Sequence, residues 1–371
     1  MLFFLFSNIK ERGNTLEIWA LYLPAFHRIK ENDLWWGEGF TEWDNVRKGI
    51  PLYDGHIQPQ VPLDGYYDLS KVDTLRKQAD LANKYGVDGF VFYHYWFKDG
   101  KKLLELPAEN LLKNKDIDLK FSFCWANEPW ARTWDGKNHD VLMPQDYGEY
   151  DDWISHIKYF MNFFKDERYQ KINDKPVLYI YSASKIPCFD EMIKVWNAYL
   201  KENGLREIFL IEYISTFNTE VFSNLTSGVF EFEPLYTTRF DISIFNKAKR
   251  VMCKKLGVTD YQDYDSLWDL ILRRKRAYSG KPIIKGCFVG WDNSPRKAKK
   301  SMIVKGNTPQ KFEVYMRKLI NNNRKDCLDI ILINAWNEWG EGAMLEATVN
   351  DKYAYLESIK RLKEMCHEVK L

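Results

Sequence analysis

Residues 330–342 read IILINAWNEWGEG, a β-branched apolar run that breaks into tryptophan, asparagine, glutamate and glycine. The apolar part is too short for a buried helix and rich in isoleucine, so it reads as a strand packed on both faces. Working outward, the same pattern recurs at 18–23 (IWALYL), 87–95 (VDGFVFYHY), 119–125 (LKFSFCW), 176–181 (PVLYIY), 208–213 (IFLIEY), 229–232 and 283–289. Stretches of helical period separate most of these runs, at 72–85, 103–112, 149–164, 189–202, 266–278 and 309–322, with another at 353–366. Gly86 stands where the first of these helices needs a C-cap. Eight strands with intervening helices predict an α/β fold, the (β/α)8 TIM barrel with long aromatic-rich βα loops. A doubly wound sheet would need GxGxxG after the first strand, where Pro24-Ala25-Phe26-His27 stands instead.

The chain has 371 residues, 45% hydrophobic and 29% charged, which suits one large core. A single barrel domain over 1–371 is expected, with 1–15 as an N-terminal extension and a C-terminal helix within 351–371. The stretch 215–277 is the least periodic. Lysine plus arginine number 54 and aspartate plus glutamate 52, a net charge of +2 without a dominant basic block, so a nucleic-acid partner is not expected. The apolar run 1–6 falls far short of the roughly 20 residues of a spanning helix and has no basic residue before it. That predicts a cytoplasmic protein with no transmembrane segment. Six scattered cysteines without a CxxC pair read as free, mostly buried thiols, not as a zinc site.

In a barrel, the residues just beyond each strand face the active site. There stand His27, Trp35, Trp36, Glu42 and Trp43 after strand one, and His94, Tyr95 and Trp96 at the end of strand two. Strand three leads into Asn127, Glu128 and Trp130, with Arg132 and Trp134 close behind, and strand seven ends in Trp291 and Asp292. Glu212, Glu231 and Glu233 lie on strands five and six. Strand eight runs into Asn337, Glu338, Trp339 and Glu341. Tryptophans fit the flat C–H faces of sugar rings while carboxylates and amides take the hydroxyls, so an oligosaccharide or polysaccharide partner is expected. Glu338 and Glu341, three apart and flanked by Gly340 and Gly342, lean into one pocket if their segment turns helically. Glycoside chemistry needs such a pair of carboxyl groups. His27 and His94 lack metal-ligand spacing, and Asp263-Tyr264-Asp265 reads as the cap of a helix, so no metal and no cofactor are expected.

The blocks ALYLPAFH (20–27), GEGFTEW (37–43), WANEPW (125–130) and NEWGEG (337–342) resemble those of WbsX-like proteins, related to glycoside hydrolase family 99, over nearly the whole chain. WbsX-like proteins are commonly encoded with bacterial O-antigen and capsule genes and labelled glycosyltransferases, whereas family 99 enzymes are retaining endo-α-mannosidases on (β/α)8 barrels. The resemblance implies that Glu338 is the base that removes the sugar 2-OH proton, for attack on C1 and a 1,2-anhydro intermediate. It implies that Glu341 is the general acid that then serves as base for water. One position departs: the histidine of the family's NEWHEG-like motif is Gly340 here.

These observations lead to a retaining glycoside hydrolase of the family 99-like type, acting on a bacterial surface polysaccharide or its precursor such as lipopolysaccharide O-antigen. The alternatives are a WbsX-type glycosyltransferase and a non-catalytic glycan-binding barrel. Glu338 and Glu341 are the candidate catalytic residues. His27, Trp35, Trp36, Glu42, Trp43, His94, Trp96, Asn127, Glu128, Trp130, Trp291, Asn337 and Trp339 are the candidate substrate-binding residues.

Overall fold

The structure is a computed structural model that describes residues 16–131, 141–215, 220–322 and 324–368. Eight parallel strands close into a barrel: β1 Glu17–Tyr22, β2 Gly89–Trp96, β3 Lys120–Trp125, β4 Lys175–Ile180, β5 Phe209–Ile214, β6 Gly228–Glu231, β7 Ile283–Phe288 and β8 Cys327–Asn334. Each pairs with the next, and the last closes on the first through the register Glu17 to Ile330 and Ala20 to Ile333. The expected eight-stranded barrel is therefore the observed fold.

Strand alternation divides the core into two layers. Trp19, Leu21, Val91, Cys124, Val177, Tyr179, Ile211, Tyr213, Phe230, Ile284 and Leu332 fill the barrel interior. Ile18, Ala20, Tyr22, Phe90, Phe92, Phe123, Leu178 and Ile180 face the surrounding helices. Burying each large apolar side chain contributes roughly 1.5–3 kcal/mol, so the doubly covered sheet carries much of the fold's stability. Gly89 at the foot of β2 is a requirement of this packing, because a Cβ there would sit 2.5 Å from the Trp19 ring.

The outer helices follow the sequence periodicity closely. Val72–Tyr85 ends on Gly86 at φ 82°, as the glycine signal requires. Tyr150–Phe164, Phe189–Glu202, Pro309–Ile320 and Ala354–Glu368 lie within a few residues of expectation, as does Leu106–Lys113. The 266–278 helix is shifted to Tyr264–Arg273. It stops because Arg274 turns away to a buried cluster, 3.0 Å from Glu231, 2.6 Å from Glu233 and 2.7 Å from Asp241. Asp263 caps that helix by accepting from the Ser266 amide, the role expected for it.

The long first loop carries two short helices, Lys30–Trp36 and Glu42–Arg47. The 215–277 stretch holds Leu235–Phe240, Ile244–Leu256 and a short strand Asp260–Asp263, which pairs in parallel with Met302–Lys305 outside the barrel. The extension 1–15 and the site candidates Arg132 and Trp134 lie outside the described residues.

Candidate active site

Beyond β8 the chain forms a tight hairpin. Asn337–Glu338 pairs antiparallel with Ala343–Met344, and Trp339–Glu341 makes one 3₁₀ turn closed by Gly342 at φ 61°. The helical turn needed to bring Glu338 and Glu341 together is thus present. Asn337 anchors it: its Oδ1 accepts from the Leu23 amide at 2.8 Å and its Nδ2 donates to the Leu23 carbonyl at 3.0 Å, tying β8 to β1. Trp339 is fully buried and donates to Glu346 at 3.1 Å.

The hairpin presents both carboxyl groups to one guanidinium. Arg296, on the short helix Ser294–Lys297 after β7, places Nη2 2.8 Å from Glu338 and Nη1 2.9 Å from Glu341. Its Nε and Nη2 also donate to Glu42 at 2.8 and 2.7 Å. Burial works against the charge of Arg296, but the three carboxylates outweigh it and hold the guanidinium firmly protonated. Burial pushes Glu338 up to about 8, opposed by Arg296 and reinforced by Glu341 and Glu42. Burial likewise raises Glu42, against the pull of Arg296.

Gly340 explains why the fork fits. A Cβ at that position would lie 2.5 Å from Glu42 Oε1 and 2.7 Å from Arg296 Nε. The space a side chain at 340 would need is occupied by this ion cluster.

A cavity of about 390 Å³ opens above the cluster, within the range of small-molecule sites. Of the candidates named from the sequence, Trp36, Glu42, Glu128, Trp130, Glu338 and Glu341 line it. Trp36 and Trp130 are half-buried and present ring surface, with Tyr95 edge-on to Trp130 at 5.0 Å. Glu128 is paired with Lys185.

The remaining candidates stand away from the cavity lining. Trp35 packs on Trp130 from behind at 5.8 Å. His27 and Trp291 are buried, and Trp43 packs among Phe26, Tyr66, Tyr67 and Trp339. Asn127 clamps the β3 and β4 ends, bonding the Ser182 amide and carbonyl. His94 and Trp96 point to the helix layer, where His94 lies 3.0 Å from His156 and Trp96 stacks on His156 at 4.3 Å. Burial holds both histidines well below the ordinary range. These residues build the scaffold around the cavity; their side chains do not form its wall.

Tyr95, noted from the sequence at the end of strand two, also lines the cavity, as do Tyr93, Tyr181, Asn32 and Arg296, which were not singled out. Tyr93 and Tyr95 share the inward face of β2 with Val91. Glu212 and the pair Glu231 and Glu233 turn outward to structural partners, Thr226 with the Phe222 and Ser223 amides in the first case and Arg274 in the second.

Residues 18–359 match the family described as Glycosyltransferase WbsX. The chain belongs to that family. WbsX relatives include the uncharacterized protein WxcX from two strains of Xanthomonas campestris pv. campestris, ATCC 33913 and B100, each 36% identical over 348 residues. That alignment takes in 92% of this chain and 49% of WxcX, so the chain spans about half the length of these relatives. Among solved structures, the WbsX barrel is similar to a glycoside hydrolase-like protein (TM-score 0.54, 15% identity, 94% of both chains). It is also similar to the GH99 endo-alpha-mannosidase of Bacteroides thetaiotaomicron in complex with BIS-TRIS-propane (TM-score 0.55, 12% identity, 95% of this chain and 98% of that one). At such identities the likeness is one of fold.

Proposed function

We propose that this WbsX-family barrel is a carbohydrate-active enzyme that cleaves glycosidic bonds with retention, in a bacterial surface polysaccharide or its precursor. The carrying observation is the pair Glu338 and Glu341, bridged by Arg296 at the base of a cavity flanked by Trp36 and Trp130. In this reading Glu338 removes the proton from the sugar 2-OH, O2 attacks C1, and Glu341 protonates the departing glycosidic oxygen. Glu341 then takes a proton from water as the water opens the 1,2-anhydro ring at C1, and Glu338 returns its proton to O2. Arg296 holds both carboxyl groups in register.

The family's name favours a second reading, transfer from a nucleotide-sugar donor. Charge favours hydrolysis: among the described residues, the carboxyl groups of Glu42, Glu128, Glu338 and Glu341 line the cavity beside one cation, Arg296, whose guanidinium is already engaged by Glu42, Glu338 and Glu341, which does not suit a diphosphate. The deciding experiment incubates wild type and Glu341→Gln with the producer's surface oligosaccharide in ¹⁸O-labelled water. Label at a new reducing end with wild type alone supports hydrolysis. Growth of the glycan by one residue only when nucleotide-sugar is added establishes transfer.

A further inference from the structure

The helix Ile244–Leu256, sequence IFNKAKRVMCKKL, is turned the wrong way round for a surface helix. Ile244, Ala248, Val251, Met252 and Leu256 follow the spacing of one apolar stripe, joined by Phe245, and such a stripe ordinarily faces a core. Here it faces water: Phe245 is 83% exposed, Ile244 75% and Leu256 67%. The helix is fastened by its other side. Cys253 is buried, Arg250 pairs with Asp260 at 3.0 Å, and Lys249 donates to the Tyr261 carbonyl at 2.9 Å.

Charge identifies what the stripe meets. Lys247, Lys249, Arg250, Lys254 and Lys255 lie on this one helix, and no acidic residue occurs between Asp241 and Asp260. The exposed Lys299 and Lys300 extend the patch: Thr259 donates to the Lys299 carbonyl at 3.1 Å, and a Cβ at Gly257 would lie 3.5 Å from the Lys300 side chain. We infer that the outward face of Ile244–Leu256, with its lysine flanks, is a docking surface for an anionic lipid bilayer, lying in the headgroup plane with Ile244, Phe245, Met252 and Leu256 inserted. A helix of this length, with an apolar outward face and lysines on it and beside it, matches an interfacial anchor and not a span. No described helix is long and apolar enough to cross a membrane. Pairing of two copies through this face brings the exposed Lys247, Lys254 and Lys255 of one copy towards those of the other, whereas anionic headgroups neutralise them. The inference stands independently of the reaction assigned to the barrel.

The test is co-sedimentation of the whole chain with vesicles of phosphatidylcholine mixed with phosphatidylglycerol, and with phosphatidylcholine alone. Binding is expected to be at least about tenfold tighter to the anionic vesicles and to weaken with salt. Phe245→Ser with Met252→Ser is expected to weaken it by about tenfold or more, and Lys254→Glu with Lys255→Glu comparably. These positions are exposed, and unchanged circular dichroism verifies that the variants fold. Absence of binding to anionic vesicles, equal binding to neutral ones, or indifference to Phe245→Ser with Met252→Ser overturns the inference. So does a lipid-free dimer, seen by sedimentation velocity, that Phe245→Ser dissolves.

Discussion

Arg296 and Gly340 are one device made of two residues. Without the guanidinium, Glu42, Glu338 and Glu341 are left facing one another in a buried site, and breaking a buried pair costs about 3–5 kcal/mol. Arg296→Ala is therefore expected to lower stability by about that amount and to push Glu338 still further above about 8, read by chemical denaturation and by the pH–rate profile. Gly340→His alone collides with Glu42 and Arg296. Combined with Arg296→Ala it has the vacated volume, so the double variant is expected to be more stable than the sum of the singles by about 0.5–3 kcal/mol. Strictly additive losses would show that the two positions do not share space. The proton on Glu338 gives a sharper test of its role. A base must be ionised, so with Glu338 as base kcat/KM rises with pH through a limb near 8. A falling limb there makes Glu338 the acid and reverses the assignment of the pair.

At the scale of elements, β2 shows what a sequence discloses and what it hides. The eight strands were legible because each is a short β-branched or aromatic run bounded by turn residues, and the approach of Glu338 to Glu341 was legible because two glutamates and two glycines crowd into six residues. The facing of β2 was not legible. Phe90, Phe92, His94 and Trp96 alternate with Val91, Tyr93 and Tyr95, so both faces are apolar or aromatic and hydropathy carries no parity signal. Arg296 was hidden for a different reason: it stands in SPRKAKK, a stretch that reads as solvated charge until its neighbours in space are known. Parity makes a prediction at this scale. Trp96→Leu leaves a void against His156 and is expected to cost about 2–4 kcal/mol with KM unchanged, whereas Tyr95→Phe leaves stability intact and lowers kcat/KM severalfold. A stable Trp96→Leu with an altered KM would refute the facing of this strand.

For the whole molecule, the segment after β8 links activity to stability through protons. Burial pushes Glu346 up to about 7, against hydrogen bonds from Gln78, Tyr67 and Trp339, just as it raises Glu338 to about 8. Both begin from an ordinary value of 4.5, which is what they regain on unfolding. A carboxyl raised in the native state binds its proton more tightly there than in the unfolded chain. Its contribution is therefore complete below about 4.5 and is lost as pH rises through 7 and 8, on the order of a few kcal/mol for each group. Groups shifted the other way set the acid side. Asp166, held down by Arg168 and Lys115 despite burial, and Asp292, held down by His56 and Ser294 despite burial, lose their contributions as pH falls below the carboxylate range. The barrel is accordingly expected to have its highest Tm in mildly acidic solution and to lose several degrees on the way to about pH 8. Glu346→Gln removes one of the two groups responsible while keeping an amide able to bond Tyr67, so its Tm is expected to fall less steeply between pH 5 and 7. A wild-type Tm that climbs steadily from pH 5 to 8, or a Glu346→Gln variant that follows the wild-type slope, would place the proton on neither buried glutamate.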